Sequence, residues 1–522
     1  MKRLLLPILL VVSLLMSTAG IGFAQEVYPL PGDAVSNAVV QNKTTTAGQT
    51  ASVIATYYDQ NGTVAYTHSG IQIAPKAVKE IKTADEPLGD GFQGSAVLSS
   101  NQPLAAIVSI QYKNVPGAPL PQKQTQSAYN ATTEASTVLY FPSVWRFNAI
   151  VTRLSVQNTD SQDANVTLTF KKRDGSSAGT LNATIKSFGQ RTFYLGNSSD
   201  VPADLPSDFK DGSIVVESTN GKKLAGAAAV TWANRSGAYQ SLTNSNKGKV
   251  LYAPSHYRFI DNAPANWDTL PGTQWTLFSA LNLQNTSATA TANVKLTYTA
   301  RGATASSLVK NITIPPLSAT GLNTQNGGDF PKADFNALSK AGNGLPDWDG
   351  AVLIESDQDL VGTNITNWGQ LGYADIYALA STNEGSNALF LPAQYRLHYS
   401  ANSGWSQWSA INLQNVGSTT VSETDLKIQY IDQNGNTIKT FTGAELNDAT
   451  NGNGLAPGEA IGLNTRNGGD LNASAFNSFP TSNGVPSFIG GIYVEAPVGS
   501  KLVAVANIVY NNRASVYNGV PQ

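Results

Sequence analysis

Apolar and polar residues alternate along four short segments that recur at domain-sized intervals in the chain. Alternation with a period of two places one face of a β-strand in a core and the other face in water. No comparable stretch has the period of an α-helix, so the pattern predicts an all-β protein. The four segments are 53–57, 166–170, 294–298 and 426–430.

A Gln-Asn pair precedes each alternating segment, and a turn containing glycine follows it. The spacings between successive pairs are 116, 127 and 130 residues. A repeat of this length predicts four tandem domains rather than a solenoid of short units. The turns are rich in Asn-Gly and Asp-Gly, which supply the positive φ angles of tight hairpins. The pairs are Gln41-Asn42, Gln157-Asn158, Gln284-Asn285 and Gln414-Asn415.

Each repeat continues with a proline or glycine corner, a strand that opens on glycine, a small apolar strand and a last strand with an aromatic residue. Seven or eight short strands per repeat predict an antiparallel β-sandwich of immunoglobulin-like type. Polar linkers then place the boundaries. We predict a signal peptide at 1–24 and four domains at 25–136, 137–248, 249–387 and 388–522. Exposed linkers also predict an elongated chain in which distant domains make little contact.

The order of Gln-Asn pair, alternating strand, Asn-Gly turn and Leu-x-Pro-Gly corner resembles the bacterial immunoglobulin-like modules of cell-surface proteins, including the cell-adhesion-related domain. This resemblance covers the first half of each repeat. It implies the sandwich fold and a location at the cell surface, and it implies no shared catalytic residues.

The N-terminus has the pattern of a secretory signal, with Lys2 and Arg3 before an apolar run and a cleavage site before Gln25. The run is shorter than a bilayer requires, so we expect no transmembrane anchor. The chain has no cysteine, which favours a bacterial or archaeal origin over a eukaryotic secreted one. Charged residues are 13% of the chain and the net charge is −2, which gives no footprint for nucleic acid.

The third and fourth repeats are longer than the first two, and their insertions are rich in tryptophan. Aromatic faces stack on sugars and anchor protein interfaces, so these side chains are candidate binding residues. The alternative is that Trp275, Trp405 and Trp408 seal a sandwich or the junction between domains, whereas Trp348 is expected to be exposed. The candidates are Trp267, Trp275, Trp348, Trp405 and Trp408.

Asn-Gly-Gly-Asp segments end at Asp329 and Asp470 and add two further candidates. Oxygen-rich loops can bind calcium, but the spacing matches no EF-hand and carboxylates are few. We favour a turn that the Asn and Asp side chains stabilise, and we expect neither a metal nor a cofactor.

Catalytic patterns are weak throughout the sequence. The three histidines, His68, His256 and His398, lie in different repeats and suggest neither a triad nor a zinc site. We therefore expect no enzyme but a secreted structural or adhesive protein, and the alternative is a carbohydrate-binding protein that uses the tryptophan-bearing loops. The expected partner is a cell-envelope component, a glycan or another surface protein, with self-assembly as a further alternative.

Overall fold

The fold is all-β with several antiparallel sheets, as predicted. It is seen in a computed structural model that describes residues 10–14, 33–113, 125–147, 150–232, 235–303, 305–340, 342–398, 404–482, 484–510 and 513–522. In each repeat two four-stranded sheets pack face to face around a hydrophobic core. We call them the outer sheet, which holds the alternating strand, and the inner sheet, which holds the Gln-Asn pair.

The inner sheets share one strand order, in which the strand of the Gln-Asn pair is second and the last strand of the repeat is at the edge. In the first two repeats the order is Val78–Lys82, Asp33–Asn42, Leu104–Lys113, Thr125–Asn130, and Gln190–Tyr194, Ile150–Asn158, Leu224–Trp232, Arg235–Gln240. In the last two it is Ala319–Asn323, Leu277–Asn285, the second half of Asp347–Trp368, Tyr373–Ala378, and Ala460–Asn464, Trp405–Asn415, Leu502–Tyr510, Arg513–Asn518.

The outer sheets also share one order, in which the strand that opens on glycine is second. In the first two repeats the order is Leu10–Leu14, Gly94–Ser100, Ala51–Asp59, Val64–Ile73, and Val138–Phe147, Asp211–Ser218, Ala164–Lys172, Ser177–Ile185. In the last two it is Gly248–Phe259, the first half of Asp347–Trp368, Ala292–Ala300, Ser306–Ile314, and Ala388–His398, Phe488–Glu495, Lys427–Asp432, Thr437–Phe441.

The remaining elements are short, and several of the two-residue strands pair with strands of the sheets. Two-residue strands are Gly327–Gly328, Ala380–Ser381, Gly468–Gly469, Thr481–Ser482, Val485–Pro486 and Val520–Pro521. The α-helix is Asn447–Thr450, and the 3-10 turns are Thr83–Asp85, Ser198–Asp200, Asn244–Asn246, Trp267–Thr269, Gly272–Gln274, Lys332–Phe335, Thr382–Glu384, Gly443–Leu446 and Ala473–Phe476.

The Asn of each Gln-Asn pair ties its strand to the corner between the two sheets. Asn285 Nδ2 donates to the carbonyls of Ile314 at 3.0 Å and Ala290 at 2.7 Å, and the equivalent Asn415 donates to Leu455 and Thr419, each at 2.8 Å. Because buried carbonyls need a donor, this explains why the residue recurs in every repeat.

Replacing Asn285 by alanine should lower the free energy of unfolding by about 2 kcal/mol, since two carbonyls lose their donor inside the protein. Urea unfolding followed by tryptophan fluorescence measures this change. The exposed Asn293, replaced in the same way, is the control and should cost less than half as much. A loss equal to that of the control would contradict the structural role of the pair.

The Gln of each pair supports a corner residue with positive φ. Gln41 Nε2 donates to the carbonyl of Lys76 and Gln414 Nε2 to that of Gly458, both at 3.0 Å, and φ is 60° at Lys76 and 80° at Gly458. Phe188 is a further such corner residue, and its ring stacks on Tyr58 of the preceding repeat at 5.7 Å. A side chain in this strained conformation is therefore positioned to reach across to a neighbouring repeat.

The four repeats surround a common axis, and the last strand of each repeat lies on it. We call these four the central strands: Thr125–Asn130, Arg235–Gln240, Tyr373–Ala378 and Arg513–Asn518. Each contacts the central strands of the two adjacent repeats, and those of the first and last repeats contact each other. Inner sheets are consequently buried on both faces, and strands such as Leu224–Trp232 are almost entirely shielded from solvent.

One side chain joins all four repeats at the axis. The Asp375 carboxylate is fully buried and accepts four backbone N–H groups at 2.8–2.9 Å, one from each repeat. Burial raises the pKa of the Asp375 carboxyl well above its usual range, while the four N–H donors oppose that shift. The donors belong to Ala128, Ala238, Ile376 and Val516.

The cyclic arrangement contradicts the expectation of an elongated chain with little contact between distant repeats. Val39, Val78 and Ile107 of the first repeat join the core of the fourth. The linkers are not simple exposed spacers either, since Asn246 Nδ2 in one donates to Glu384 Oε1 in another at 2.8 Å. Burying both faces of the apolar inner sheets stabilises the protein more than solvating the short polar linkers would.

Candidate functional site

The predicted tryptophans of the third repeat are largely structural. Trp275 and Trp348 are completely buried, so the expectation that Trp348 is exposed is wrong. It lies within the strand Asp347–Trp368 rather than in a loop, and its Nε1 donates to Ser307 Oγ at 3.0 Å. Trp267 is half-buried, and the guanidinium of Arg258 lies 4.7 Å from its ring centre.

The two tryptophans of the fourth repeat are half-buried and contact different neighbours. Trp408 packs against the core of the third repeat, which agrees with the alternative that it seals a junction. Trp405 lies beside His398, with the ring centres 3.7 Å apart, and below the guanidinium of Arg396. Both tryptophans thus have a cation over the ring, since the guanidinium of Arg466 lies 4.8 Å from the ring centre of Trp408.

Asp329 and Asp470 stabilise turns and hold arginines of the preceding repeat. Asp329 Oδ2 accepts the N–H of Gly321 at 2.6 Å, and Asp470 Oδ2 accepts that of Gly462 at the same distance. These bonds agree with the interpretation as turns. Among the residues that the structure describes, no group of three or more His, Asp or Glu side chains could hold a metal ion.

An arginine crosses each of two seams, by which we mean the contact surfaces between consecutive repeats. Between the second and third repeats, Arg173 Nη1 lies 3.3 Å from Asp329 Oδ2 and its Nη2 donates to Asn282 Oδ1 at 3.2 Å. A Cβ on Gly321 would lie 2.7 Å from Arg173 Nη1, so glycine makes room for the guanidinium. Arg301 similarly reaches Asp470, at 3.8 Å, between the third and fourth repeats.

The seam between the fourth and first repeats, which we call the closing seam, lacks this arginine. Gln433 occupies the hairpin position of Arg173, and the exposed Ile489 replaces the aspartate before the glycine strand. The position six residues before the Gln of the pair is also small, since Val35, like Val151 of the second repeat, stands where the third and fourth repeats have Phe278 and Trp408.

A groove of about 440 Å³, the seam groove, lies at the closing seam. Its walls combine aromatic, aliphatic and polar side chains from both repeats. The seven predicted candidates are absent from its lining. The residues that matter for its chemistry are Val35, Asn37, Glu80, Lys82, Lys113, Tyr395, Gln407, Gln433, Ile489 and Tyr510.

Hydrogen-bonding groups in the seam groove are held in place before any ligand binds. Asn37 Nδ2 donates to Glu80 Oε1 at 3.1 Å, and Lys82 Nζ lies 3.7 Å from the other carboxylate oxygen. Asn37 Oδ1 has no hydrogen-bond partner among the described residues. Burial raises the pKa of the Tyr395 phenol well above its usual range, so that the phenol stays neutral and can donate.

Sequence reasoning missed these residues, although the repeats carried a usable signal. Aligning the four copies on the Gln-Asn pair shows Val35 where two others have large aromatics, and Gln433 where two have arginine. Gln60 of the first repeat and Val151 of the second match these residues, so the comparison points to two seams, and the structure has the seam groove at the closing seam. The tryptophans of the insertions were predicted to bind instead, yet several of their side chains pack in hydrophobic cores.

The histidines do not come together. His68 lies 2.7 Å from Glu86 in the first repeat, whereas His256 is buried in the third and contacts Asn364. His398 packs on Trp405 in the fourth. The described residues thus bring no two histidines into one site.

No family model and no curated protein matches the chain. Within the described part of the chain, no helix is both long enough and apolar enough to cross a bilayer.

Proposed function

We propose that this chain is a secreted bacterial protein of the cell surface that acts by binding rather than by catalysis. In this proposal its four repeats are immunoglobulin-like sandwiches, related to the cell-adhesion-related modules that the first half of each repeat resembles. They form a ring that attaches to a glycan of the cell envelope or of a surface protein. No cofactor is required for such a function.

The observation that carries the proposal is the asymmetry of the four seams. Large or charged side chains such as Trp408 and Arg173 cross two of them, whereas the closing seam holds the seam groove. Rigid concave sites with a few fixed polar groups are typical of small-ligand binding.

A glycan suits the chemistry of the groove. The rings of Tyr395 and Tyr510, with centres 6.2 Å apart, offer apolar faces for the carbon faces of a sugar. Asn37, Glu80 and Gln407 offer both donors and acceptors for hydroxyl groups. Lys82 and Lys113 lie on the same wall, which favours a glycan with some negative charge.

Filling the groove tests this proposal. The substitution Val35→Trp places an indole where the fourth repeat has Trp408, and we expect at least a tenfold loss of affinity for the best ligand of a glycan array, or about 1.4 kcal/mol. Val498→Trp, at a side chain that is 96% exposed and outside the groove, is the control and should bind normally.

The array also separates the alternatives. Loss of binding in Trp405→Ala with normal binding in Val35→Trp would move the glycan site to the predicted tryptophan-bearing loops. An array without any ligand would reject glycan recognition and leave a protein of the cell envelope as the partner.

A further inference from the structure

Charged side chains tie the second, third and fourth repeats together but not the first. Arg173 reaches Asp329 at one seam, and Arg301 reaches Asp470 at the next. The equivalent hairpin residue of the first and fourth repeats is glutamine, and the first repeat contains no arginine. Among the described residues, the ion pairs of the first repeat stay within that repeat. Both seams of the first repeat therefore lack the arginine–carboxylate contact that holds the other three in a block.

The linker after the first repeat is also the least ordered of the three linkers. The second and third linkers form 3-10 turns with capping boxes, and Asn246 Nδ2 of one donates to Glu384 Oε1 of the other at 2.8 Å. In the first linker, residues 133–135 form no hydrogen bond with another described residue, and the first two of them are exposed. We call residues 133–135 the hinge.

Apolar contacts hold the first repeat in the ring. Val39, Val78 and Ile107 join the core of the fourth repeat, whereas Ala227 and Ala229 of the second repeat join the core of the first. A first repeat that moved away on its hinge would expose these side chains to water, so the opened ring is unfavourable. The surface that matches both sides of the vacated place is the first repeat of another copy.

We propose that the first repeat exchanges between two copies of this chain, so that each of two rings is completed by the first repeat of the other copy. Exchange preserves the contacts within each ring and changes only the path of the hinge, which makes it a route to dimers of low energetic cost. The hinge lies at one face of the ring, beside the last residues of all four central strands. Two chains can cross there because Thr133 and Glu134 are exposed.

Exchange would make each seam groove a joint product of two chains. Tyr395 and Gln407 would come from one copy, and Asn37 and Glu80 from the other. The dimer then holds two such grooves on one particle, and a surface with many copies of a ligand binds two linked sites more tightly than one. Exchange itself does not depend on glycan binding.

Cysteine pairs show which chain supplies the first repeat, since the native chain has no cysteine. Ser127 Oγ lies 3.3 Å from Ser236 Oγ across the seam between the first and second repeats. Ser143 Oγ lies 2.6 Å from Thr363 Oγ1 across the seam between the second and third. In the dimer, Ser127→Cys with Ser236→Cys should form a disulfide between chains. Ser143→Cys with Thr363→Cys is the matched control and should form one within a chain.

The full chain is refolded from urea at high and at low protein concentration, and its size is measured by light scattering. We expect the dimer fraction to be at least tenfold greater at the high concentration, because exchange requires two copies. Lengthening the hinge with glycine and serine should lower that fraction at least tenfold, since the first repeat then closes more easily on its own ring. Non-reducing gel electrophoresis of the dimer fraction reads the two cysteine pairs.

Three results overturn exchange of the first repeat. The chain stays monomeric at every concentration, both cysteine pairs link within one chain, or both link between chains, which would place the exchange at another seam. Native chains with light and heavy isotopes, refolded together, give a readout without substitutions. Mixed dimers that persist after dilution, seen by native mass spectrometry, support exchange because separation requires the seams to open, and dimers that separate at once contradict it. None of these readouts involves a glycan, so the proposed function is tested separately.

Discussion

Replacing Asp375 by alanine should lower the free energy of unfolding by roughly 4 kcal/mol. The substitution leaves four buried N–H groups without an acceptor, one in each repeat. Each unsatisfied buried donor costs about 1–3 kcal/mol. The sum is reduced because the variant no longer has to bury a carboxylate.

Asparagine at this position tests the geometry rather than the volume. The amide keeps one acceptor oxygen, but its NH₂ group would face two N–H donors of the axis. We therefore expect Asp375→Asn to lose at least half as much stability as Asp375→Ala, despite its nearly identical shape. Urea unfolding followed both by fluorescence and by far-UV circular dichroism gives the two values and checks that the probes coincide.

Asp357→Asn is the matched control, since Asp357 also accepts a backbone N–H, at 2.9 Å from Asn293, but at an exposed position of the strand Asp347–Trp368. Its expected effect is below 1 kcal/mol. If Asp375→Asn unfolds at the same urea concentration as this control, then the axial carboxylate does not hold the repeats together.

The sequence could predict the strands but not their cyclic arrangement. Alternation gave the outer strands because each has one face in a core, as Ala164–Lys172 shows with its alternating burial. The inner strands carried a different signal. Leu224–Trp232 is an almost continuous run of small apolar residues, which is typical of strands buried on both faces. The prediction of an apolar strand alone did not include the packing of this strand against a neighbouring repeat.

The axial carboxylate could not be inferred from a single repeat. The equivalents of Asp375 in the other copies are Ser127, Gly237 and Ser515, so no repeated motif marks the position. Its four donors are backbone groups, which a sequence does not distinguish from any others. Only the meeting of four edge strands on one axis gives that aspartate its role.

The candidate site, too, could not be predicted from the residues of a single repeat. Tryptophans attract attention because their exposed faces bind ligands, yet Trp275 and Trp348 have the sizes that large sandwich cores need. The seam groove is instead lined by Val35 and Gln433, at positions where other repeats have a large aromatic residue or an arginine. An unfilled contact between repeats is visible in sequence only when the repeats are compared position by position.

Acid should destabilise the third repeat through His256. Its imidazole is completely buried between Tyr298 and Trp348, and its Nδ1 lies 2.8 Å from Asn364 Oδ1. Burial lowers the pKa of His256 from 6.5 to about 4, and the hydrogen bond with Asn364 opposes this shift only in part. The folded protein thus keeps the ring neutral where an unfolded chain would protonate it.

The sign of the effect follows from proton linkage. Between pH 6.5 and 4 the unfolded chain binds a proton at this histidine and the folded chain does not, so stability falls as pH falls through that window. The loss approaches about 3 kcal/mol at the lower end. Well above pH 6.5 the imidazole is neutral in both states, and His256 contributes no pH dependence there.

The variant His256→Gln isolates this contribution. Glutamine occupies the equivalent position in the fourth repeat, where Gln394 Nε2 donates to Tyr517 Oη at 2.9 Å, so the fold accepts it there. We expect the variant to be somewhat less stable than the native protein at pH 7, and to lose about 3 kcal/mol less between pH 6.5 and 4. Parallel slopes for the two proteins across that window, measured by urea unfolding at half-unit steps, would mean that the buried imidazole is protonated without cost.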